Sequence, residues 1–125
     1  MEKHEDILKG MYGQLKGLFD TSDQAMYIYQ DDSKKACNDK FASMLGYGSA
    51  EEWAAVEENF PTAFVSEKSQ NTLIGAYQDA MEKGTGASIE VEWKKKSKGT
   101  VRTNVILVPI EYGGHRMALH FVSRR

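Results

Sequence analysis

Few side chains of this sequence have the types and spacing that chemistry requires. The thiol of Cys37 could serve as a nucleophile or a redox group, and the imidazole of His120 could ligate haem or bind a small molecule. No stretch resembles a Ser-His-Asp set, a phosphate-binding loop or the Cys and His spacing of a metal site. We therefore predict no catalytic residue, no metal site and no enzymatic activity.

Each of these groups also has a purely structural interpretation. A single cysteine cannot form an internal disulfide, and a lone thiol such as Cys37 is most often a buried, unreactive side chain. His120 lies in the apolar stretch "MALHFV", where it is either a histidine with satisfied hydrogen bonds or a ligand contact. His4 near the start and His115 in an expected turn should face solvent.

Aromatic side chains are the other group that could bind a ligand. Such residues more often form a core, but ligand pockets are also mostly apolar and contain only a few polar groups. Asn38 and Asn104 would supply polar contacts in such a pocket. The full set of cavity candidates is Tyr27, Tyr29, Asn38, Met44, Trp53, Tyr77, Asn104 and His120.

Composition limits the class of protein. The chain has 125 residues, of which 41% are hydrophobic and 27% charged, with a net charge of −2. These values fit one domain with one core and give no general attraction to nucleic acid or membranes. The run from Lys94 to Lys98 lacks interleaved aromatic residues and is expected to be a solvated turn. With one cysteine and no signal-peptide pattern, we predict a cytoplasmic protein.

Residues 1–20 predict an amphipathic helix that needs a surface to cover. Its apolar residues recur at helical spacing, but Gly10, Gly13 and Gly17 would each cost an isolated helix roughly 1 kcal/mol relative to alanine. The surface is either the protein's own sheet or a second copy of the chain. We predict a homodimer whose interface includes Leu8, Met11, Leu15, Leu18 and Phe19.

The pattern of the remaining residues, 21–125, predicts two strands, then several helices and then three strands. Asn38 or Asp39 can cap a short helix, and the stretch "SAEE" has the pattern of a capping box. A longer helix follows Ser66. From Ala87 the period changes to two, and Gly-containing turns then join three antiparallel strands. "VILVPI" and "MALHFV" are apolar at successive positions, which predicts that both faces of the sheet are covered.

These motifs, in this order, resemble those of the PAS sensor domain family. The resemblance is carried by Asn38 before a short helix with Phe41, by "LGYGSAEEW", by "VEWKKKSKGTVR" and by "VPIEYGGHRMALHFV". It implies an α+β fold with a five-stranded antiparallel sheet in the order 2-1-5-4-3 and short helices on one face, enclosing a ligand cavity. Flavin-binding members place a reactive cysteine in a helix after asparagine, whereas Cys37 precedes Asn38. Haem-binding members often carry a histidine on the long helix, which has none here, so we predict neither haem nor flavin.

The resemblance also implies a function. We expect a cytoplasmic sensory and signal-transduction module that binds a small molecule, forms a homodimer or contacts a signalling partner protein. One alternative is a ligand-free scaffold for protein–protein interaction, and a more distant one is a small enzyme with an α+β cone. The chain ends "HFVSRR" and lacks the Asp-Ile-Thr element that leads into an output helix in this family. We therefore expect either a fragment of a larger sensor or a protein that acts without an attached output domain.

Overall fold

A computed structural model describes residues 10, 13, 16–31, 34–112 and 114–125. Its first element, the leading helix, includes residues 10, 13 and 16–21. The strands and helices that follow are β1 (Ala25–Asp31), β2 (Lys34–Cys37), α1 (Asp39–Met44), α2 (Ala50–Ala54), α3 (Phe60–Phe64), α4 (Glu67–Lys83), β3 (Ala87–Lys94), β4 (Thr100–Tyr112) and β5 (His115–Arg124).

All five strands pair antiparallel in one sheet. Their order across the sheet is β2-β1-β5-β4-β3, which confirms the order predicted from sequence. The first and last strands are neighbours at the centre, where Tyr27 pairs with His120 and Met26 with Phe121. Because side chains alternate between the two faces of a strand, this register puts Tyr27 and His120 on the same face. That face is covered by the four helices and is called the inner face below.

Local capping chemistry defines the short helices between β2 and α4. The Phe41 N–H donates to Asn38 Oδ1 at 3.1 Å at the start of α1. At the start of α2 the Glu52 N–H donates to Ser49 Oγ at 3.0 Å, while the Glu52 carboxylate accepts from the Gly48 N–H. Side-chain oxygens thus satisfy N–H groups that lack partners inside these helices. The long helix α4 ends at Gly84, which adopts the left-handed conformation with φ 66°.

Aromatic rings fill most of the space between the inner face and the helices. Trp53, Trp93, Phe41 and Phe64 are fully buried there. The Trp93 Nε1–H donates to Thr103 Oγ1 at 2.8 Å, which gives this buried indole the partner it requires. The core is therefore built from large rings, many of them in edge-on contact.

The outer face of the sheet is covered only in part. Phe19 of the leading helix is 2% exposed and packs on a cluster formed by Met26, Ile28, Met117 and Leu119. Farther along the same face, Ile106 of β4 remains 52% exposed. The prediction that both faces are covered, by the leading helix alone or within a dimer, is thus met in a single copy at β1 and β5 and not at Ile106, which the leading helix leaves open.

The predicted dimer residues have different positions. Leu8, Met11 and Leu15 lie outside the described residues. Leu18 is 47% exposed, as an interface residue would be in a free subunit. Phe19 instead contacts its own sheet, which corrects its assignment to the interface: successive helical residues point about 100° apart, so Leu18 and Phe19 serve different surfaces.

Candidate functional site

A cavity of about 180 Å³ lies between the centre of the inner face and helices α3 and α4. The alternation of β1 directs two tyrosines to this face, and β5 contributes one histidine. Helix α4 contributes residues spaced one and four apart, which fall on one side of a helix. The lining residues are Tyr27, Tyr29, Phe60, Pro61, Leu73, Ile74, Tyr77, Gln78 and His120.

Tyr27 and His120 form a stacked pair in this lining. Their ring centroids are 3.9 Å apart with an interplanar angle of 8°, and both residues are almost completely buried. Tyr27 Oη and His120 Nδ1 have no hydrogen-bond partner among the described residues. Buried polar atoms are nearly always hydrogen-bonded, so two orphans beside one cavity are unusual.

Burial keeps both rings uncharged. It raises the pKa of the Tyr27 hydroxyl well above its ordinary value, with the nearby Tyr29 adding to the effect. It lowers the pKa of His120 to about 3, because an imidazolium loses its hydration in this position. At neutral pH the pair therefore offers hydrogen bonds but no charge.

The remaining aromatic residues form a wall around the cavity. Tyr29 meets Phe60 edge-on, with centroids 4.9 Å apart at 71°, and meets Tyr77 at 5.2 Å and 83°. The Tyr77 hydroxyl donates to the Gln30 carbonyl at 3.1 Å and so connects α4 to the end of β1. Gln78 is the one exposed residue of this lining. The cavity therefore reaches the surface at α4.

Of the eight predicted cavity residues, the structure brings Tyr27, Tyr29, Tyr77 and His120 together at the cavity. The other four lie elsewhere, and two of these are the polar candidates Asn38 and Asn104.

Asn38 is buried but already has partners. Its Oδ1 accepts from the Met26 and Phe41 N–H groups, each at 3.1 Å, and its Nδ2 donates to the Gln24 carbonyl at 2.8 Å. Its role is to cap α1 and tie it to the start of β1. Asn104 is exposed and pairs across the sheet with Glu90 and Ser123. It lies on the outer face, so its assignment to the cavity is wrong.

Trp53 and Met44 also lie outside the cavity lining. Trp53 is fully buried in the adjoining core, where its ring centroid is 5.8 Å from that of Tyr27. Met44 is half-buried and borders a surface groove near Gln24 and Arg124. Both side chains pack in or against the core that adjoins the cavity.

Sequence reasoning missed five lining residues: Phe60, Pro61, Leu73, Ile74 and Gln78. The four-residue steps from Leu73 to Tyr77 and from Ile74 to Gln78 could have indicated which side of α4 faces the sheet. Phe60 and Pro61 belong to the one-and-a-half-turn helix α3, which is too short to show a period.

A buried lysine was also missed. Lys35 of β2 is 4% exposed, and its ammonium donates to the carbonyls of Ala54, at 3.3 Å, and Val56. The ammonium also lies 5.3 Å from the centroid of the Trp53 ring. Lys35 thereby fixes the end of α2 against the sheet, and no pattern in the sequence distinguishes it from its exposed neighbours.

Neither Cys37 nor the cleft beside β3 offers a competing site. Cys37 is buried, and burial raises its thiol pKa above the ordinary value, so the reactive thiolate is disfavoured. A cleft of about 540 Å³ beside β3 is larger than the cavity, but its charges pair with one another, as in Lys68–Glu92 at 3.1 Å and Arg125–Glu90 at 2.9 Å. Within the described ranges there is no group of three His, Cys, Asp or Glu residues that could hold a metal ion. None of the helices described is long and apolar enough to cross a membrane.

Comparisons with known proteins define the fold. No model of a known protein family matches the chain, and a search by sequence among curated proteins finds no match. Solved structures do match. A PAS domain from a two-component sensor histidine kinase has a TM-score of 0.68 at 14% identity, over 94% of this chain and 98% of that one.

Two further PAS domains give the same result. One belongs to a protein from Colwellia psychrerythraea, with a TM-score of 0.71 at 16% identity over 92% of this chain and 97% of that one. The other belongs to an HTR-like protein from Haloarcula marismortui, with a TM-score of 0.64 at 16% identity over 97% of each chain. The chain therefore has the PAS fold. At these identities the likeness establishes the fold alone, so function is argued from the cavity.

Proposed function

We propose that this protein is a sensory signalling module that binds a small molecule in the cavity between the sheet and α4. The single observation that carries the proposal is the pair of orphaned polar atoms, Tyr27 Oη and His120 Nδ1, on rings that line an apolar cavity. An apolar pocket with a few convergent polar groups is the usual form of a ligand site. The proposal agrees with the identity of one structural neighbour, a PAS domain from a two-component sensor histidine kinase.

The sheet provides a direct route from the cavity to the leading helix. Tyr27 lies between Met26 and Ile28, and His120 lies between Leu119 and Phe121. These four neighbours face outward and belong to the cluster on which Phe19 packs. A ligand that moves the inner rings therefore also moves the two strands that support the leading helix. The signal would be a shift in the population of helix positions.

We propose further that the protein acts as a homodimer in the cytoplasm. Ile106 and Leu18 are the two large hydrophobic side chains that remain exposed among the described residues, and Ile106 is on the outer face. Covering this face with a second copy would remove them from water. The single cysteine is an unpaired buried thiol, which fits a reducing compartment. We expect the output to be read from this dimer or from a signalling protein that binds the same face.

The test is whether the purified protein carries a molecule that depends on the cavity. Native mass spectrometry of wild-type protein should show a retained small molecule. The variant Ile74→Trp, which enlarges a half-buried lining residue, should lose it. Thr72→Trp makes the same addition at an exposed position of α4 outside the cavity and should retain it.

A wild-type protein without any retained molecule is a weaker result, so a second measurement is needed. A thermal-shift screen of small molecules on refolded protein should then find compounds that stabilise wild type and Thr72→Trp but not Ile74→Trp. If the three proteins respond alike to every compound, the cavity is not a binding site and the protein is a ligand-free scaffold.

A further inference from the structure

Building on the proposed function, we infer that the cavity selects an uncharged molecule with one ring and a hydroxyl group on that ring, a phenol-type ligand. Three properties of the lining lead to this class: its charge, its hydrogen-bonding atoms, and the size and shape of its walls.

The lining excludes charged ligands. None of its nine side chains carries a formal charge, and burial lowers the pKa of His120 to about 3, so the imidazole stays neutral at physiological pH. A carboxylate or ammonium group in this position would lose its hydration without gaining a counter-ion, which is strongly unfavourable. The charged side chains of the cleft beside β3 are already paired with one another and lie outside the cavity.

The two orphaned atoms call for a group that can both donate and accept a hydrogen bond. The Tyr27 hydroxyl can act in either sense, and Nδ1 of a neutral imidazole is a donor or an acceptor according to the tautomer. A ligand hydroxyl satisfies both atoms in either case. The two rings are stacked with centroids 3.9 Å apart, so the two polar atoms belong to neighbouring parts of the lining. One small polar group is therefore the simplest partner for both.

The walls favour a single aromatic ring. Tyr29, Phe60 and Tyr77 already meet edge-on, and aromatic rings gain most from offset or edge-on contacts with another ring. The volume of about 180 Å³ is close to that of an apolar cavity of about 150 Å³ that accommodates benzene. It is below the range of about 300–1,000 Å³ found for drug-sized ligands. A second fused ring would not fit without displacing α4.

Four probes distinguish these three requirements when each is titrated into the full chain and binding is monitored by NMR. Phenol and toluene have nearly the same shape and differ in the hydroxyl, benzoate adds a charge, and 1-naphthol adds a ring. We expect phenol to bind at least tenfold more tightly than toluene and to shift the ring nitrogen resonances of His120. Benzoate at pH 7 and 1-naphthol should not bind detectably.

The variant Tyr27→Phe tests the hydrogen bond inside the protein. It keeps the ring that stacks on His120 and removes only the orphaned hydroxyl. Phenol should bind this variant more weakly than wild type, whereas toluene should bind both proteins equally. An equal loss for both probes would mean that the cavity had changed shape, and the hydroxyl argument would be overturned.

The possible failures are distinguishable. If benzoate or 1-naphthol binds as tightly as phenol, or if toluene does, the inferred ligand class is wrong while the protein remains a small-molecule sensor. The same holds if the molecule retained in native mass spectrometry is charged or has several rings. If no probe binds, no molecule is retained and the thermal-shift screen finds no compound that distinguishes wild type from Ile74→Trp, the proposed function itself fails.

Discussion

One chemical change, the removal of a tyrosine hydroxyl, should have opposite effects on stability at two positions of the same cavity. Tyr27→Phe removes a buried hydroxyl that has no partner among the described residues. Tyr77→Phe removes a hydroxyl that donates to the Gln30 carbonyl at 3.1 Å. Both variants keep the ring and hence the aromatic contacts, so the hydrogen-bond status of the hydroxyl is the main difference between them.

The expected magnitudes follow from that status. A buried polar group without a partner costs about 1–3 kcal/mol, so Tyr27→Phe should raise the free energy of unfolding by about 1 kcal/mol or more. A satisfied hydrogen bond contributes about 0.5–1.5 kcal/mol net, and Tyr77 is only half-buried, so Tyr77→Phe should lower it by up to about 1 kcal/mol. Since 1 kcal/mol changes the melting temperature of a domain of this size by about 4 °C, Tyr27→Phe should melt above wild type and Tyr77→Phe below it.

The assay is urea unfolding and thermal melting of protein that has been unfolded and refolded to strip any retained molecule. The same measurement on protein as purified gives a second comparison. There the occupant would satisfy Tyr27 Oη, so the gain from Tyr27→Phe should shrink or reverse. If refolded Tyr27→Phe is less stable than wild type by as much as Tyr77→Phe, the Tyr27 hydroxyl has a partner and the central reasoning about the cavity is refuted.

Three other outcomes are expected. Ile106→Asp should convert a dimer to a monomer in sedimentation experiments. The control Thr72→Asp adds the same charge on α4 and should leave the mass unchanged. If Ile106→Asp is still a dimer, the outer face is not the dimer interface. His120 has a pKa of about 3 in the folded protein against about 6.5 when unfolded, so the unfolded state binds the extra proton and stability should fall as pH drops from about 6.5 towards 3. The free energy of unfolding should fall by up to about 1.4 kcal/mol per pH unit. Urea unfolding at pH 7 and pH 5 should show this loss in wild type and a smaller loss in His120→Phe. Asn38→Ala should lose about 2–4 kcal/mol in the same assay because a cap and two backbone partners disappear, whereas Asn104→Ala should change stability by less than about 0.5 kcal/mol.

The sheet could be predicted because its signals are local. The period of two at Ile89, Val91 and Trp93 fixes one face of β3, and all three side chains do face inward. Glycine-containing turns then set the antiparallel pairing of the last three strands. The position of the central strands depended on the resemblance, since no local signal places the first strand beside the last.

The face of β4 could not be predicted in the same way. From Val105 to Ile110 its sequence is apolar at successive positions, so in this half of the strand either set of alternating side chains could point inward. In the structure Thr103 points inward, where its buried hydroxyl accepts from the Trp93 indole and donates to the Val91 carbonyl, and Asn104 points outward. A contact between strands of this kind has no signature in the sequence of either strand.

Four of the nine residues that line the cavity were predicted, for a similar reason. Tyr27, Tyr29 and His120 lie on strands whose pairing the fold fixes, and Tyr77 lies on α4, which is long enough to show a period. Asn38 looked like a ligand contact because it is polar and lies next to the core. Whether such a side chain is free or already used as a cap depends on three-dimensional contacts with Gln24 and Met26.

The alternation of β1 and β5, which places the cavity on one side and the Phe19 cluster on the other, restricts how this protein can evolve. Deleting a single residue before His120 in β5 would exchange the two sides at once, since every later side chain would turn to the opposite face. The apolar side chain that follows His120 would then point into the cavity, and the imidazole of His120 would point towards the leading helix. Substitutions in these strands can therefore change ligand binding or the packing of the leading helix during evolution. Insertions and deletions must instead be accommodated in the loops.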